Sequence, residues 1–217
     1  MESLLAFGFV CLASFFTLAN PLGTMPVFLS MTRGLSEDQR KSIVWRATVI
    51  SFFTLLVFTF AGQFLFKFFG ISANGFRIAA GFIIFKIGYD MLQAKYTHNK
   101  ISEEEKGTYA KDISITPLAI PMLCGPGAIA NGIMLMAQAN SIGMLITLIS
   151  SIFLVYLISY VILRSSTRIM PLLGETGNNV MMRLMGLILM VIAVECFFSG
   201  LRPIVIDFVS AGIDAGA

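Results

Sequence analysis

"LANPLGTMP", residues 18–26, interrupts a stretch that otherwise reads as a membrane-spanning helix. Proline cannot donate a backbone hydrogen bond, and its ring clashes with the carbonyl four residues back. In lipid the freed groups cannot turn to water, so such a break must face protein or a wet cavity. The break also has a direction. Asn20 is a helix-capping residue type, and Pro21 suits the first helical position, where no N–H is needed. One half-helix is expected to end near Ala19 and another to start at Pro21. Gly23 allows close approach there, and Pro26 removes one more bond, to Leu22.

The rest of the chain supplies the lipid setting. Its 217 residues are 57% hydrophobic and 12% charged, with a mean hydropathy of +0.85. Soluble domains average about half apolar and about a quarter charged. So little polar surface marks an integral membrane protein. A spanning helix needs ~20 mostly apolar residues, and six such stretches can be read: 3–31, 42–69, 73–92, 113–138, 141–163 and 180–201. The expected fold is one all-α transmembrane domain over 1–217, with six transmembrane helices and no soluble domain. The first stretch is too long for a signal peptide and lacks a basic start. Cys11, Cys124 and Cys196 lie apart without CxxC spacing, so they read as small buried hydrophobes rather than metal ligands. The lone His98 falls in a charged, solvated loop.

If the stretches cross alternately, the connections 1–2, 3–4 and 5–6 share one side. That side collects eleven basic residues, from Arg33 to Arg183, against Lys67, Arg77 and Arg202 on the other. The positive-inside rule then makes the loop 96–112 cytoplasmic and both termini extracytoplasmic, in a plasma membrane or, where there are two membranes, the inner one. The net charge of +3 reflects topology, not nucleic-acid binding.

Sliding the chain against itself by 105 residues places Pro21 on Pro126, Asn74 on Asn179, Gly81 on Gly186, Ile87 on Ile192 and Asp90 on Glu195. Repeat 1 spans 1–95 and repeat 2 spans 113–203. A unit of three crossings ends opposite its start, so its copy enters the membrane inverted, the 3+3 build of many secondary transporters. The partner of the first break is "PMLCGPGAIA" (121–130), where Gly125 stands in the place of Asn20 and Pro126 in that of Pro21. Helices 1 and 4 are both expected to be discontinuous. A half-helix start presents N–H groups that attract a carboxylate; a half-helix end presents carbonyls suited to an ammonium group or a small cation. No formal charge occurs in 3–32 or 113–163, which points to a small, net-neutral, zwitterionic solute. Prolines and glycines also kink membrane helices merely for packing. Two such breaks at one repeat position weigh against that.

Charges inside spans are functional candidates by default. Lys86 and Asp90, one turn apart near the end of the third helix, suit interfacial anchoring or a coupling or gating role. Glu195, the repeat mate of Asp90, has no basic residue within a turn of it and is a candidate proton carrier. Ser36 and Gln39 can form a capping box for the second helix, whose many phenylalanines suit a lipid-facing surface.

"NPLGTMPVFLSMT" (20–32), "PLAIPMLCGPGAI" (117–129) and "RLMGLILMVIAVECFFSGLRP" (183–203) resemble the MarC family, which includes the small neutral amino acid transporters. The resemblance covers essentially the whole chain. It implies the inverted three-plus-three arrangement with helices 1 and 4 broken, and transport of glycine, alanine and similar amino acids coupled to Na⁺ or H⁺, with no other cofactor and no metal. By motif match it puts substrate binding on Asn20, Pro21, Gly23, Thr24, Gly125, Pro126 and Gly127. The competing readings are a channel or an exporter for other small neutral solutes. A membrane enzyme is disfavoured, because the chain lacks a CxxC, a His cluster and paired intramembrane carboxylates with a nucleophile. The expected partners are the solute and the lipid bilayer, and the sequence is compatible with a homo-oligomer.

Overall fold

The computed structural model describes residues 2–32, 34–70, 72–93 and 106–214. Its elements are α1 (Glu2–Ala19), α2 (Pro21–Met31), α3 (Glu37–Phe69), α4 (Ala73–Leu92), α5 (Lys106–Ile113), a π-helical segment (Ser114–Leu123), α6 (Pro126–Gln138) and α7 (Ile142–Asp214). No strand occurs among the described residues. His98 and most of the loop 96–112 lie outside them.

Local chemistry explains the ends of α3. Ser36 Oγ accepts the Gln39 N–H at 3.3 Å, while Gln39 Oε1 accepts the Ser36 N–H at 2.9 Å, so the expected capping box forms. Glu37 and Asp38 sit in the first turn and Lys67 in the last, complementing the helix dipole. Gly70 closes the helix at φ 65, a conformation open to glycine. The exposed Phe53, Phe60, Phe64 and Phe68 form the apolar outer surface expected of this helix.

Four helical stretches are long and apolar enough to cross a membrane: Leu4–Leu29, Glu37–Phe69, Ile142–Ser166 and Asn179–Ser210. The pair Ala110–Leu123 and Pro126–Gln138, bent by 54°, makes a fifth if it counts as one span. The remaining expected crossing, 73–92, is the helix α4. Its three charges, Arg77, Lys86 and Asp90, are spread so that it has no long uncharged run, and it is not among these stretches. The segment 164–179, expected as a connection, is helical on both sides of Gly174. That glycine takes φ 62, ψ −176 and divides α7 into two arms.

Phe15, Phe28, Ile43, Leu55, Leu118, Leu148 and Ile152 are essentially inaccessible and bind α1, α2, α3, the π-helical segment and the first arm of α7 into one core. The second arm packs antiparallel on α4 at backbone-to-backbone distance. A Cβ on Gly81 would stand 2.9 Å from the Ala193 carbonyl, one on Gly88 2.7 Å from that of Gly186, and one on Gly200 2.6 Å from that of Asn74. Close approach through small residues is a common way for helices to associate where lipid removes the hydrophobic drive. This pair forms one wall of the site.

Candidate functional site

The first break is built by Asn20. Its φ of 40 is the only positive value at a non-glycine position among the described residues. Asn is among the few residues that tolerate it, because its short amide can bond locally. Its N–H still donates to the Phe16 carbonyl (3.0 Å), and its carbonyl accepts the Thr24 N–H (3.0 Å) and Thr24 Oγ1 (3.1 Å). Asn20 Oδ1 accepts the Gly23 N–H at 3.1 Å, which is the expected cap. A Cβ on Gly23 would collide with that amide, so glycine is required there. One expectation changes: the Gly23 and Thr24 N–H groups at this half-helix start are occupied, not bare.

The second break uses only backbone. Thr116 and Ile120, each preceding a proline, are extended rather than helical, because the proline ring disfavours the α region in the residue before it. Gly125 is extended at φ −79, ψ 164, Pro126 takes the first helical position, and the Ile129 N–H bonds the Gly125 carbonyl at 3.1 Å. No side chain caps α6, and among the described residues no side chain accepts from the Gly127 or Ala128 N–H groups at its start. A Cβ on Gly125 would stand 2.8 Å from the Pro121 carbonyl.

Two carbonyls of the preceding half are occupied by the chain's own donors. The Ala119 carbonyl accepts the Cys124 N–H at 2.8 Å and Ser51 Oγ at 3.3 Å. The Leu123 carbonyl accepts the buried Tyr156 hydroxyl at 3.0 Å.

A cavity of about 550 Å³ lies between the breaks. It gathers Leu18, Asn20, Gly23 and Thr24 from the first break and Pro121, Met122, Gly125 and Gly127 from the second. Asn131 and Met134 of α6, Arg77, Ile84 and Ile87 of α4, and Leu189, Ile192, Glu195, Cys196 and Ser199 of α7 complete it. Asn20, Gly23, Thr24, Gly125, Gly127 and Glu195 thus line one cavity. Pro21 and Pro126 shape the backbone without lining the cavity, and Lys86 and Asp90 lie off it. Lys86 is exposed, Asp90 is half-buried, and no ion pair joins them among the described residues.

Arg77 and Asn131 are polar lining residues not among the sequence candidates. Asn131 Nδ2 donates to Ser14 Oγ (3.0 Å), which donates in turn to the Cys11 carbonyl (3.2 Å), fixing the amide between α1 and α6. An Arg77 guanidinium nitrogen lies 4.0 Å from Met134 Sδ, and its carbonyl accepts the Cys196 thiol at 3.5 Å. Arg77 and Glu195 are the two formal charges of the lining, opposite in sign, and among the described residues they make no ion pair with each other. A second hollow of about 540 Å³ shares Glu195 and Ser199 and continues past Arg202. The signals available were the charge within a span and the amide four residues after Gly127, on the same helix face.

Comparison with known proteins bears on the whole chain. The model of the MarC family, described as integral membrane proteins, matches residues 5–205. The UPF0056 membrane protein YvbG of Bacillus subtilis is 38% identical over 192 residues, covering 87% of this chain and 91% of its own. A UPF0056 membrane protein of Pyrococcus horikoshii is 36% identical over 187 residues (86% and 90%). One from Methanocaldococcus jannaschii is 34% identical over 191 residues (88% and 93%). No solved structure matches the chain. With apolar helices throughout and a family match over nearly its full length, the chain belongs to the MarC family of integral membrane proteins.

Proposed function

We propose that the protein is a secondary transporter of small neutral amino acids, glycine- or alanine-like, that binds its solute in the cavity between the two broken helices. The observation that carries this reading is the convergence of both breaks on one cavity that also holds two opposite charges, Arg77 and Glu195. The solute carboxylate sits at the uncapped start of α6, where the dipole and the Gly127 and Ala128 N–H groups favour an anion. Arg77 adds a cation on the same side of the balance, and Glu195 supplies the countercharge for the ammonium group. Charged side chains within spans mark functional sites by default, so two in one otherwise uncharged lining call for a ligand that uses them. Na⁺ or H⁺ drives the cycle.

The six-crossing inverted repeat belongs to the same proposal. Three pairs of positions separated by 105 residues, Asn20/Gly125, Ile84/Leu189 and Ile87/Ile192, line the cavity with both members. The offset also interchanges the contact of Gly81 with Ala193 and that of Gly88 with Gly186. Both facts support a pseudo-twofold axis through the site. With eleven basic residues against three, the connections 1–2, 3–4 and 5–6 are cytoplasmic and both termini extracytoplasmic. The end of the cavity at Arg77 and Ser199 is then extracytoplasmic.

Uptake into proteoliposomes tests the function, with glycine, alanine, serine and larger amino acids under imposed Na⁺ and pH gradients and Asn20→Leu as control. Saturable, gradient-driven accumulation and counterflow are expected. Equilibration without accumulation would indicate a channel, and no flux of any amino acid would end the assignment.

A further inference from the structure

The cavity is one-sided. Beyond the repeat interface its lining runs toward Arg77, Asn131, Met134 and Cys196. The positions 105 residues away are Met182, Pro26, Leu29 and Met91. None of the four lines either of the two hollows described above. Met91 and Met182 are 0% exposed, Leu29 is 2% exposed, and Pro26 is buried.

Met91 and Met182 form a compact buried cluster with Val27. Ile87, Met122 and Leu189 pack against this cluster and also line the cavity, so the cluster is the layer directly beneath its floor. Its repeat image is the trio Gly132, Cys196 and Arg77. There the Cys196–Arg77 contact borders open space instead of a sealed core. Inverted halves that adopt each other's conformations exchange which end is open. The open end therefore shows what the closed end becomes.

Given the inverted-repeat reading above, on which this rests, we infer that Val27, Met91 and Met182 are the closed inner seal of the translocation path, and that parting them opens a second vestibule lined by Pro26, Leu29, Asp90 and Met182. Methionine suits such a seal, because its unbranched, polarisable chain repacks readily. This gives Asp90 a place: it becomes the acid of the inner vestibule, as Glu195 is of the outer one. The path is then closed at one end in the resting protein, as a carrier requires and an open pore does not.

Single cysteines in a Cys11→Ala, Cys124→Ala, Cys196→Ala background test this with an impermeant maleimide applied to right-side-out and inside-out vesicles. Ser199→Cys and Met134→Cys should label readily in right-side-out vesicles. Met91→Cys and Met182→Cys should label at least tenfold more slowly, and only in inside-out vesicles. Rapid labelling of either methionine position, or labelling from the same side as Ser199→Cys, overturns the proposal. This arm needs no solute, so it is read independently of whether amino acids are transported.

A second arm joins Met91→Cys to Met182→Cys with a short thiol-to-thiol cross-linker, in protein whose folding is checked beforehand by the melting of its Trp45 fluorescence. Cross-linking should cut uptake at least tenfold while solute binding from the outer side persists. Undiminished uptake after complete cross-linking refutes the seal.

Discussion

Tyr156 links a distant helix to the second break, and removing its hydroxyl has a calculable effect. The Tyr156 side chain is 2% exposed and donates at 3.0 Å to the Leu123 carbonyl, one residue before the chain leaves the π-helical segment. Among the described residues no other donor reaches that carbonyl. Tyr156→Phe preserves the ring and leaves the acceptor buried and unpaired, a loss of about 1–3 kcal/mol. For a chain of this size that corresponds to a melting temperature lowered by about 2–12 °C. Ser51→Ala is the internal control. Ser51 Oγ also bonds the Ala47 carbonyl at 2.7 Å, and the Ala119 carbonyl keeps the Cys124 N–H at 2.8 Å, so little is left unpaired. Its loss should stay below about 1 kcal/mol. Thermal unfolding in detergent can be followed by the fluorescence of Trp45, the single tryptophan, whose ring meets Tyr160 edge-on at 5.9 Å. A Tyr156→Phe protein that melts with wild type, or above Ser51→Ala, would refute the view that this bond holds the broken helix in place.

Other perturbations report on packing and chemistry. In Gly186→Ala the new Cβ falls 2.7 Å from the Gly88 carbonyl, about 0.7 Å short of ordinary contact, so α4 and the second arm of α7 must part. That should cost about 1–3 kcal/mol in the same melting assay. Gly125→Ala, which meets the Pro121 backbone at 2.8 Å, should impair solute uptake more than Gly127→Ala, which meets only the movable Leu18 side chain at 3.2 Å. Arg77→Gln removes a charge-assisted contact and should raise the KM for glycine or alanine roughly 10–100-fold, as about 1.5–3 kcal/mol implies. Glu195→Gln should abolish uptake driven by a pH gradient if that carboxyl carries the proton; unchanged proton coupling would reject the role.

How much of this could be read from the sequence follows from how local each cause is. Proline and its neighbours act within one turn, so both breaks were readable, as was the Ser36–Gln39 capping box. The offset of 105 residues pairs Pro21 with Pro126, and both breaks contribute residues to one cavity. The helical course of 164–179 was not readable, because a single glycine, Gly174, suffices to turn the chain where a loop was expected. Nor was the occupancy of the Ala119 and Leu123 carbonyls, since their donors, Ser51 and Tyr156, lie 68 and 33 residues away. Arg77 was counted for topology, and its place at the cavity depends on glycine-mediated packing of α4 against α7.

Equilibrium binding to the purified protein is the most direct test of a zwitterion site between the breaks. Labelled glycine or alanine would be competed with glycinamide, which lacks the carboxylate, and with acetate, which lacks the ammonium group. The expected result is saturable binding of the intact amino acid, weak competition from either analogue, and loss of binding in Arg77→Gln. Equal competition by all three, or binding that survives when both Arg77 and Glu195 are neutralised, would contradict it.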